Sequence, residues 1–156
     1  MPVENWIDKV TKLWASISDG GKGSVHAYSA FLKEDWPESI NIFPSALSIV
    51  ENANMEYGVG SPAEDRWIGT TEFHLYPDLG KHRYPGVLKY YNRIKLAAAA
   101  NIQLSGTVQT FYLRTDDGPS IEGPLSLEYG SENPHWGLIV RWRVFEVTTG
   151  TFTVSA

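Results

Sequence analysis

Apolar and polar residues alternate with a period of two in several stretches of this chain, and this alternation is the main guide to its fold. The longest stretch runs from His135 to Thr148. Its apolar residues share one side of an extended chain: Leu138, Val140, Trp142 and Val144. Arg141 and Arg143 fall on the other side. Because successive side chains of a β-strand point to opposite faces, the pattern predicts a strand with one buried face.

Four more stretches are predicted to be strands on the same grounds: residues 46–57, 66–76, 107–114 and 121–129. Glycines and a proline at 58–62 predict a turn between the first two of these strands. In the last of them, Leu125, Leu127 and Tyr129 are expected to face inward. With the long strand above, the sequence predicts a sheet of about five strands.

Two stretches have the spacing of amphipathic helices instead. Residues 4–18 carry an apolar stripe that is expected to pack on the sheet: Trp6, Val10, Leu13 and Ile17. A second helix is predicted from Tyr84 to near Asn101, because a proline follows Tyr84 and is favoured in the first turn. Its inner stripe is predicted to be Val87, Tyr91, Ile94 and Ala98. Residues 24–45 have no clean period and are interpreted as an ordered aromatic loop with room for one short strand.

The order of these elements is helix, two strands, helix, three strands. Strands that are grouped apart from helices are typical of an α+β protein. We therefore predict a mainly antiparallel sheet of about five strands with both helices packed on one face. Because strands and helices do not alternate one by one, a doubly wound nucleotide-binding fold is disfavoured. One domain is expected over residues 1–156, with residues 149–156 as a polar C-terminal tail.

Composition and charge exclude several classes of function. The chain of 156 residues has 13 Lys and Arg against 18 Asp and Glu, which is a formal net charge of −5. Since non-specific nucleic-acid affinity depends on clustered cations, a protein that wraps around DNA or RNA and binds its phosphates is disfavoured. The absence of cysteine excludes disulfides, thiolate nucleophiles and cysteine-ligated metals. The sequence predicts no membrane partner, because it shows neither a signal-peptide pattern nor an apolar run of spanning length.

A search for catalytic and metal-binding patterns yields only weak candidates. The glycine-rich stretch 20–24 has a glycine after its lysine and follows a helix, so it does not match a phosphate-binding loop. Glu72 and Glu128 form an acid–base pair only if their strands bring them face to face. Three residues near the end of a predicted strand lack the spacing of a known metal site and would form one only by a chance approach in the fold: His74, Asp78 and His82. We therefore predict no catalytic residues, no metal site, no cofactor and a protein that is not an enzyme.

The predicted hairpin between the first two strands is one candidate for a contact between subunits. Glu64, Asp65 and Arg66 place both signs of charge at its tip, which extends from Gly58 to Arg66. A heterologous ring contact needs opposite charges on neighbouring subunits, and such pairs steer association. A solvated turn is the alternative of equal weight, because loops are polar in any case.

The last strand carries a second candidate. Arg141 and Arg143 share a strand face with Ile139 and Phe145. This mixture of charged and apolar residues predicts a second sheet face that is partly covered, and another subunit is one candidate for the cover. The alternative is an edge strand whose long side chains reach past their apolar neighbours to solvent.

The second half of the chain also carries a family resemblance. A helix that begins at Tyr84 leads into a Leu-x-Gly pattern at 104–106, and a Leu-x-Tyr-Gly pattern follows at 127–130. A strand that begins with Gly-Leu-Ile-Val at 137–140 closes the series. In this order of motifs, the chain resembles the tail-terminator, or tail-completion, proteins of long-tailed bacteriophages and related minor tail proteins.

The resemblance implies a structural virion protein. The chain would be one subunit of a ring, expected to be hexameric, that caps the tail tube, stops its elongation and provides a docking surface for the head. The implied partners are further copies of the chain, the tail tube protein and the head–neck connector protein, with DNA passing through the lumen without sequence-specific binding. The implied location is the tail or neck of the virion, after assembly in the host cytoplasm. A neck or head–tail joining protein is the alternative within this class.

A small-ligand-binding α+β cone is the alternative from a different class. In such a fold a curved sheet wraps helices around an apolar pocket. The residues that would line the pocket are Tyr28, Trp36, Trp67, Phe73, Tyr91 and Trp142. The mass in solution separates the two classes, because a ring-forming protein associates while a pocket protein stays a monomer or dimer.

Overall fold

Two helices and six strands make up the described part of the chain. The structure is a computed structural model that describes residues 3–18, 23–30, 36–57, 63–101, 104, 110–114, 118–130 and 132–148. The helices are α1 (Val3–Ala15) and α2 (Tyr84–Ala100), and a 3-10 turn (Lys81–Arg83) precedes α2. The strands are β1 (His26–Ala30), β2 (Ser45–Tyr57), β3 (Ala63–Tyr76), β4 (Thr110–Leu113), β5 (Ile121–Leu127) and β6 (His135–Thr148). The predicted tail at 149–156 lies outside the described residues.

All six strands belong to one sheet, in which β1, β2, β3, β6 and β4 are neighbours in that order. β5 pairs with the first half of β6, and β4 pairs with the second half. β1 runs parallel to β2, and the other described pairings are antiparallel. The α+β class is thus confirmed, but the sheet has six strands instead of about five. The additional strand is β1, whose five residues are too few to show an alternation in sequence.

Both helices pack on the same face of the sheet, as predicted, and we call this the inner face. One buried cluster contains residues of both helices: Val10, Leu13 and Trp14 of α1 and Val87, Tyr90 and Ile94 of α2. The central strands contribute alternate residues to the same cluster: Phe73, Leu138, Val140, Trp142 and Val144. Trp14 meets Phe73 edge-to-face, with the ring centroids 5.3 Å apart. The side of β6 that its alternation predicts to be buried is therefore the buried side.

One residue of the predicted inner stripe of α2 is wrong. Tyr90 is 3% exposed and lies in the core, whereas Tyr91 is 37% exposed. The residues of α2 that are buried are Val87, Tyr90, Ile94 and Ala98. Both tyrosines fit a period of 3.6 residues, so packing decides between them. Tyr90 lies against the ring of Tyr76, with centroids 6.4 Å apart, and this contact turns its neighbour outward.

The predicted orientation of β5 is wrong in its second half. Ile121, in the first half of β5, packs in the core with the helices. The pairing with β6 shifts after Glu122, and beyond this point Leu125 and Leu127 lie opposite residues of β6 that face away from the helices. One extra residue in a strand moves every following side chain to the other face. Leu125, Leu127 and Tyr129 therefore follow the outer face of the sheet, opposite the helices.

The hairpin between β2 and β3 is longer than predicted. β3 begins at Ala63, so Glu64, Asp65 and Arg66 belong to a strand that pairs with β2 on one side and β6 on the other. The prediction that these three residues form the hairpin tip is therefore wrong. Backbone hydrogen bonds to β2 and β6 stabilise these polar residues as part of a strand, although their composition is typical of a loop. Gly58 lies outside the described residues.

The packing of the first helix can be tested directly. Val10, Leu13 and Ile17 are buried as predicted, although the helix ends at Ala15 and the side chain of Trp6 is outside the described residues. We expect Leu13→Ala to lower the free energy of unfolding by about 2–5 kcal/mol, because it removes buried methyl groups and leaves a cavity. Urea denaturation measures this loss. A value near about 0.5 kcal/mol, which is typical of surface substitutions, would contradict the packing of α1 on the sheet.

Candidate interaction surface

α2 exposes an apolar row on the side that faces away from the sheet. Among the described side chains, eight large apolar ones are exposed, and five of them lie between residues 79 and 96. These five are Leu79, Tyr84, Leu88, Tyr91 and Leu96. Tyr84, Leu88 and Tyr91 are four and three residues apart, so they line up along the helix. Exposed apolar side chains that gather in one place mark interaction sites more often than isolated ones do.

Positive charge surrounds this row. Residues 79–115 contain six Lys and Arg and no Asp or Glu, so this stretch has a formal charge of +6 and the rest of the chain −11. Lys81, Lys89 and Lys95 are exposed, and none of them forms an ion pair with another residue that the structure describes. We call these lysines and the apolar row the α2 surface, which comprises Leu79, Lys81, Tyr84, Leu88, Lys89, Tyr91, Lys95 and Leu96.

Two arginines, one directly before α2 and one within it, contact other residues of the chain. The guanidinium of Arg83 lies 3.6 Å from the carboxylate of Asp78. The guanidinium of Arg93 lies 5.1 Å over the ring of Tyr90 and donates to the carbonyl oxygen of Ser18 at 3.3 Å. The positive charge that the α2 surface offers to a partner therefore resides on its three lysines.

A groove of about 690 Å³ opens at the N-terminal end of α2. Its walls are formed by Leu79, Lys81, Tyr84, Pro85 and Trp136. The indole N–H of Trp136 donates to the carbonyl oxygen of Gly80 at 3.0 Å, and the ring of Tyr84 stands edge-on to the indole at 6.0 Å. These contacts hold the indole in place as one wall. The groove is suited to a large apolar side chain, with the ammonium group of Lys81 beside it.

Part of the outer face of the sheet is covered by residues 36–44 of the same chain. Trp36 is buried there against Leu47 of β2. The indole N–H of Trp36 donates to a backbone carbonyl oxygen of β2 at 3.1 Å. The hydroxyl of Tyr129 donates to the carbonyl oxygen of Pro37. The predicted cover of the second sheet face is thus supplied, at this end, by the chain itself.

Two histidines form a buried pair beneath this segment. His74 and His135 lie on adjacent strands with their Nδ1 atoms 3.0 Å apart, so an N–H of one ring donates to the other. Phe43 meets the ring of His135 edge-to-face at 4.8 Å, and Nε2 of His74 lies 3.4 Å from the carboxylate of Glu72. Burial lowers the pKa of His135, and positive charge on His74 lowers it further, against a smaller opposing effect of Glu132. The packing therefore favours the neutral form of His135.

The lowered pKa of His135 predicts a loss of stability in mild acid. Below about pH 6.5 the unfolded chain binds a proton at this residue while the folded chain does not. The free energy of unfolding should therefore fall as the pH drops from 6.5 through the pKa of the folded state. Urea denaturation across this range, compared between the wild type and His135→Gln, measures the effect as a difference in slope.

Exposed His82 provides the control for this measurement. His82→Gln removes an exposed imidazole and leaves the buried pair in place, so the acid sensitivity of the wild type should remain. If His135→Gln showed the same slope as the wild type, the buried pair would not be the source of the acid sensitivity.

The weak catalytic and metal candidates are not assembled into a site. His74 is buried beside His135, whereas Asp78 and His82 are exposed beyond the end of β3. Glu72 lies beside His74, and Glu128 is exposed where β5 ends. Among the described residues, no group of three or more His, Asp or Glu could hold a metal ion.

The structure describes the side chains of three predicted interface residues: Arg66, Arg141 and Arg143. All three lie half-buried on the outer face of the sheet. Arg66 lies 5.6 Å over the ring of Phe145, and Arg141 pairs with the carboxylate of Glu122 at 3.0 Å. The predicted mixture of charged and apolar residues on this face is therefore present, but Arg66 and Arg141 are engaged within the chain. The remaining predicted interface residues lack described side chains: Gly58, Glu64 and Asp65.

The aromatic residues expected to line a ligand pocket do not share one. Phe73 and Trp142 are fully buried in the core between sheet and helices. Trp36 is buried on the opposite face of the sheet, and Tyr28 and Tyr91 are exposed. Trp67 packs half-buried at the margin of the core. Six residues spread over two faces and the surface do not form a single cavity, so the cone is the weaker alternative.

The α2 surface is absent from the sites predicted above, although part of its signal is present in the sequence. The absence of acidic residues from 79 to 115 is visible without a structure. The exposure of the apolar row is not, because the predicted inner stripe places Tyr91 in the core. Neither helix in the described part of the chain is long and apolar enough to cross a membrane.

Comparison with known proteins assigns no family. No protein-family model matches the chain, and no curated protein matches its sequence with significance.

Proposed function

We propose that this chain is a structural protein that works by assembling with further copies of itself into a ring. The observation that carries the proposal is the α2 surface, where five exposed apolar side chains and three exposed lysines occupy one helix and the turn before it. Aromatic residues are enriched in protein interfaces, and tyrosine supplies contact area at a low cost in conformational entropy. Coverage of this row by a partner removes apolar surface from water, which favours association.

The resemblance to tail-terminator proteins supplies the kind of assembly. In this proposal the ring caps the tail tube of a long-tailed bacteriophage, stops its elongation and offers a docking surface to the head. Its partners are the tail tube protein and the head–neck connector protein, and its location is the virion. The net charge of −5 supports a lumen through which DNA slides without being held. A neck or head–tail joining ring is the second candidate, since the same surfaces serve it.

Measurements of self-association and an assay of tube elongation test the proposal. Native mass spectrometry and light scattering over a range of concentrations should show a defined oligomer, and electron microscopy should show closed rings. Addition of the protein to growing tail tubes should then halt elongation and leave a ring at one tube end. A chain that stays monomeric at every concentration, alone and with tail tubes, would overturn the proposal. Rings that join to heads but leave tube growth unchanged would favour the neck protein.

A further inference from the structure

We infer that the α2 surface of one copy binds an acidic surface of the next copy, formed where residues 36–44 meet the end of β5. This acidic surface comprises four exposed residues: Tyr28, Glu38, Ile42 and Glu128. The inference rests on the proposed self-assembly, and it specifies which two parts of the molecule meet. The occupant of the α2 surface is thus a second copy of this chain.

Two hydrogen bonds bring the parts of the acidic surface together. The hydroxyl of Tyr129 donates to the carbonyl oxygen of Pro37, which joins the end of β5 to residues 36–44. The backbone N–H of Ile40 donates to a carboxylate oxygen of Glu132 at 3.0 Å. Glu38 follows Pro37 and Glu128 precedes Tyr129, so both residues belong to the two segments that these contacts join.

Two further carboxylates, those of Glu132 and Glu72, lie close enough to Tyr129 to act on its hydroxyl. Burial raises the pKa of the Tyr129 hydroxyl, and the charges of Glu132 and Glu72 raise it further. Within the residues that the structure describes, neither Glu38 nor Glu128 forms an ion pair. Their charge therefore remains available to a partner with free cations.

The two surfaces are complementary in both charge and hydrophobicity. The α2 surface offers three lysines without described ion pairs, and the acidic surface offers two carboxylates without them. Each surface also exposes apolar side chains, and those on the acidic surface are Tyr28 and Ile42. Outside residues 79–115 the chain has a formal charge of −11, so the remainder of one copy attracts the basic stretch of another.

The placement of the surfaces decides how copies associate. α2 packs on the inner face of the sheet through Val87 and Ile94, and its exposed side points away from the sheet. Residues 36–44 cover the opposite face, where Trp36 packs on Leu47. Two different surfaces on opposite sides of a molecule make a heterologous contact. Such a contact repeats from copy to copy and produces a closed ring or an open filament.

A charge exchange between the surfaces tests the inference. The basic variant carries Glu38→Lys and Glu128→Lys, and the acidic variant carries Lys89→Glu and Lys95→Glu. All four residues are exposed, so both variants should fold like the wild type. Each variant alone places like charges at every contact, and its association should weaken at least about tenfold. An equimolar mixture should assemble, because each contact then joins opposite charges in an alternating ring.

The outcomes separate this inference from the proposed function. A wild type that never associates overturns both. A wild type that associates while the basic variant alone associates equally well overturns only the inference, because the acidic surface is then not used. Two folded variants whose mixture fails to assemble also overturn it. Binding of the wild type to DNA that is lost in the acidic variant, without any effect on self-association, would make nucleic acid the partner instead.

A matched control shows that location matters and not net charge. Lys9→Glu with Lys12→Glu changes the charge of the chain by the same amount as the acidic variant does, but on α1. This control should associate like the wild type. In high salt the difference between the variants and the wild type should shrink, because charge interactions at the margin of an interface are screened.

Discussion

Replacement of Gly137 by alanine is expected to destabilise this protein strongly, because the added methyl group has no space between the strands. A Cβ at this position would lie 2.1 Å from the carbonyl oxygen of Phe73 and 2.5 Å from a methyl group of Leu127. The oxygen belongs to the backbone of β3, which pairs with β2 and β6 on its two sides and cannot rotate away. We expect a loss of more than about 4 kcal/mol in the free energy of unfolding.

Urea denaturation of Gly137→Ala measures this loss, or its failure to fold demonstrates it. Gly130→Asn is the control, because Gly130 has a φ of +59° with no neighbouring atom within 4 Å of an added Cβ. Asparagine tolerates this backbone conformation, so this variant should remain close to the wild type. A loss below about 1 kcal/mol for Gly137→Ala would mean that β3 and β6 are farther apart than described.

The double variant Leu88→Lys with Leu96→Lys is expected to abolish self-association while it leaves the fold intact. Leu88 is 47% exposed and Leu96 is 61% exposed, so the stability of the monomer should change by no more than about 0.5 kcal/mol for each. In an assembly, each lysine would place an ammonium group where an apolar side chain is covered, and the removal of a charge from water is costly. Light scattering should show monomers at concentrations where the wild type is assembled.

Asp8→Lys provides the matched control for this variant. It changes the charge of the chain by two positive units, as the double variant does, but on the exposed side of α1. Its ion pair with Lys12, at 2.9 Å, is exposed and adds little to stability. The control should assemble like the wild type. Assembly of the double variant at the concentrations that suffice for the wild type would show that the apolar row of α2 is not an interface.

The class of fold and the buried side of the longest strand follow from sequence alone. Apolar residues recur at every second position of β6 from Leu138 to Val144, so the side of one of them determines the side of the others. The apolar stripe of α1 is equally regular, and Val10, Leu13 and Ile17 are buried as predicted. These predictions hold because each segment carries its periodicity within itself.

Where the local pattern is ambiguous or interrupted, tertiary contacts decide. Tyr90 and Tyr91 both fit the helical period, and the contact with Tyr76 places the first in the core. The register shift after Glu122 turns the second half of β5 to the outer face, and this shift exists only in the pairing with β6. β1 is a strand because β2 offers it a parallel partner.

The candidate surface divides in the same way. Its charge is present in the sequence, as an acid-free stretch from 79 to 115. The residues of its apolar row are exposed because the opposite side of α2 packs in the core. The acidic surface that complements it forms only when residues 36–44 fold over the outer face. Lys89 and Glu38 therefore become parts of two opposite surfaces only when the sheet stands between them.

Gly69 and Trp142 illustrate what only the tertiary structure determines. A Cβ on Gly69 would lie 2.2 Å from the indole ring of Trp142, so the glycine leaves the space that the buried ring occupies. The sequence determines that each residue lies in a strand, and the alternation determines that Trp142 faces inward. The need for a glycine opposite the ring arises only when β3 and β6 pair, because close packing depends on neighbours that are distant in the chain.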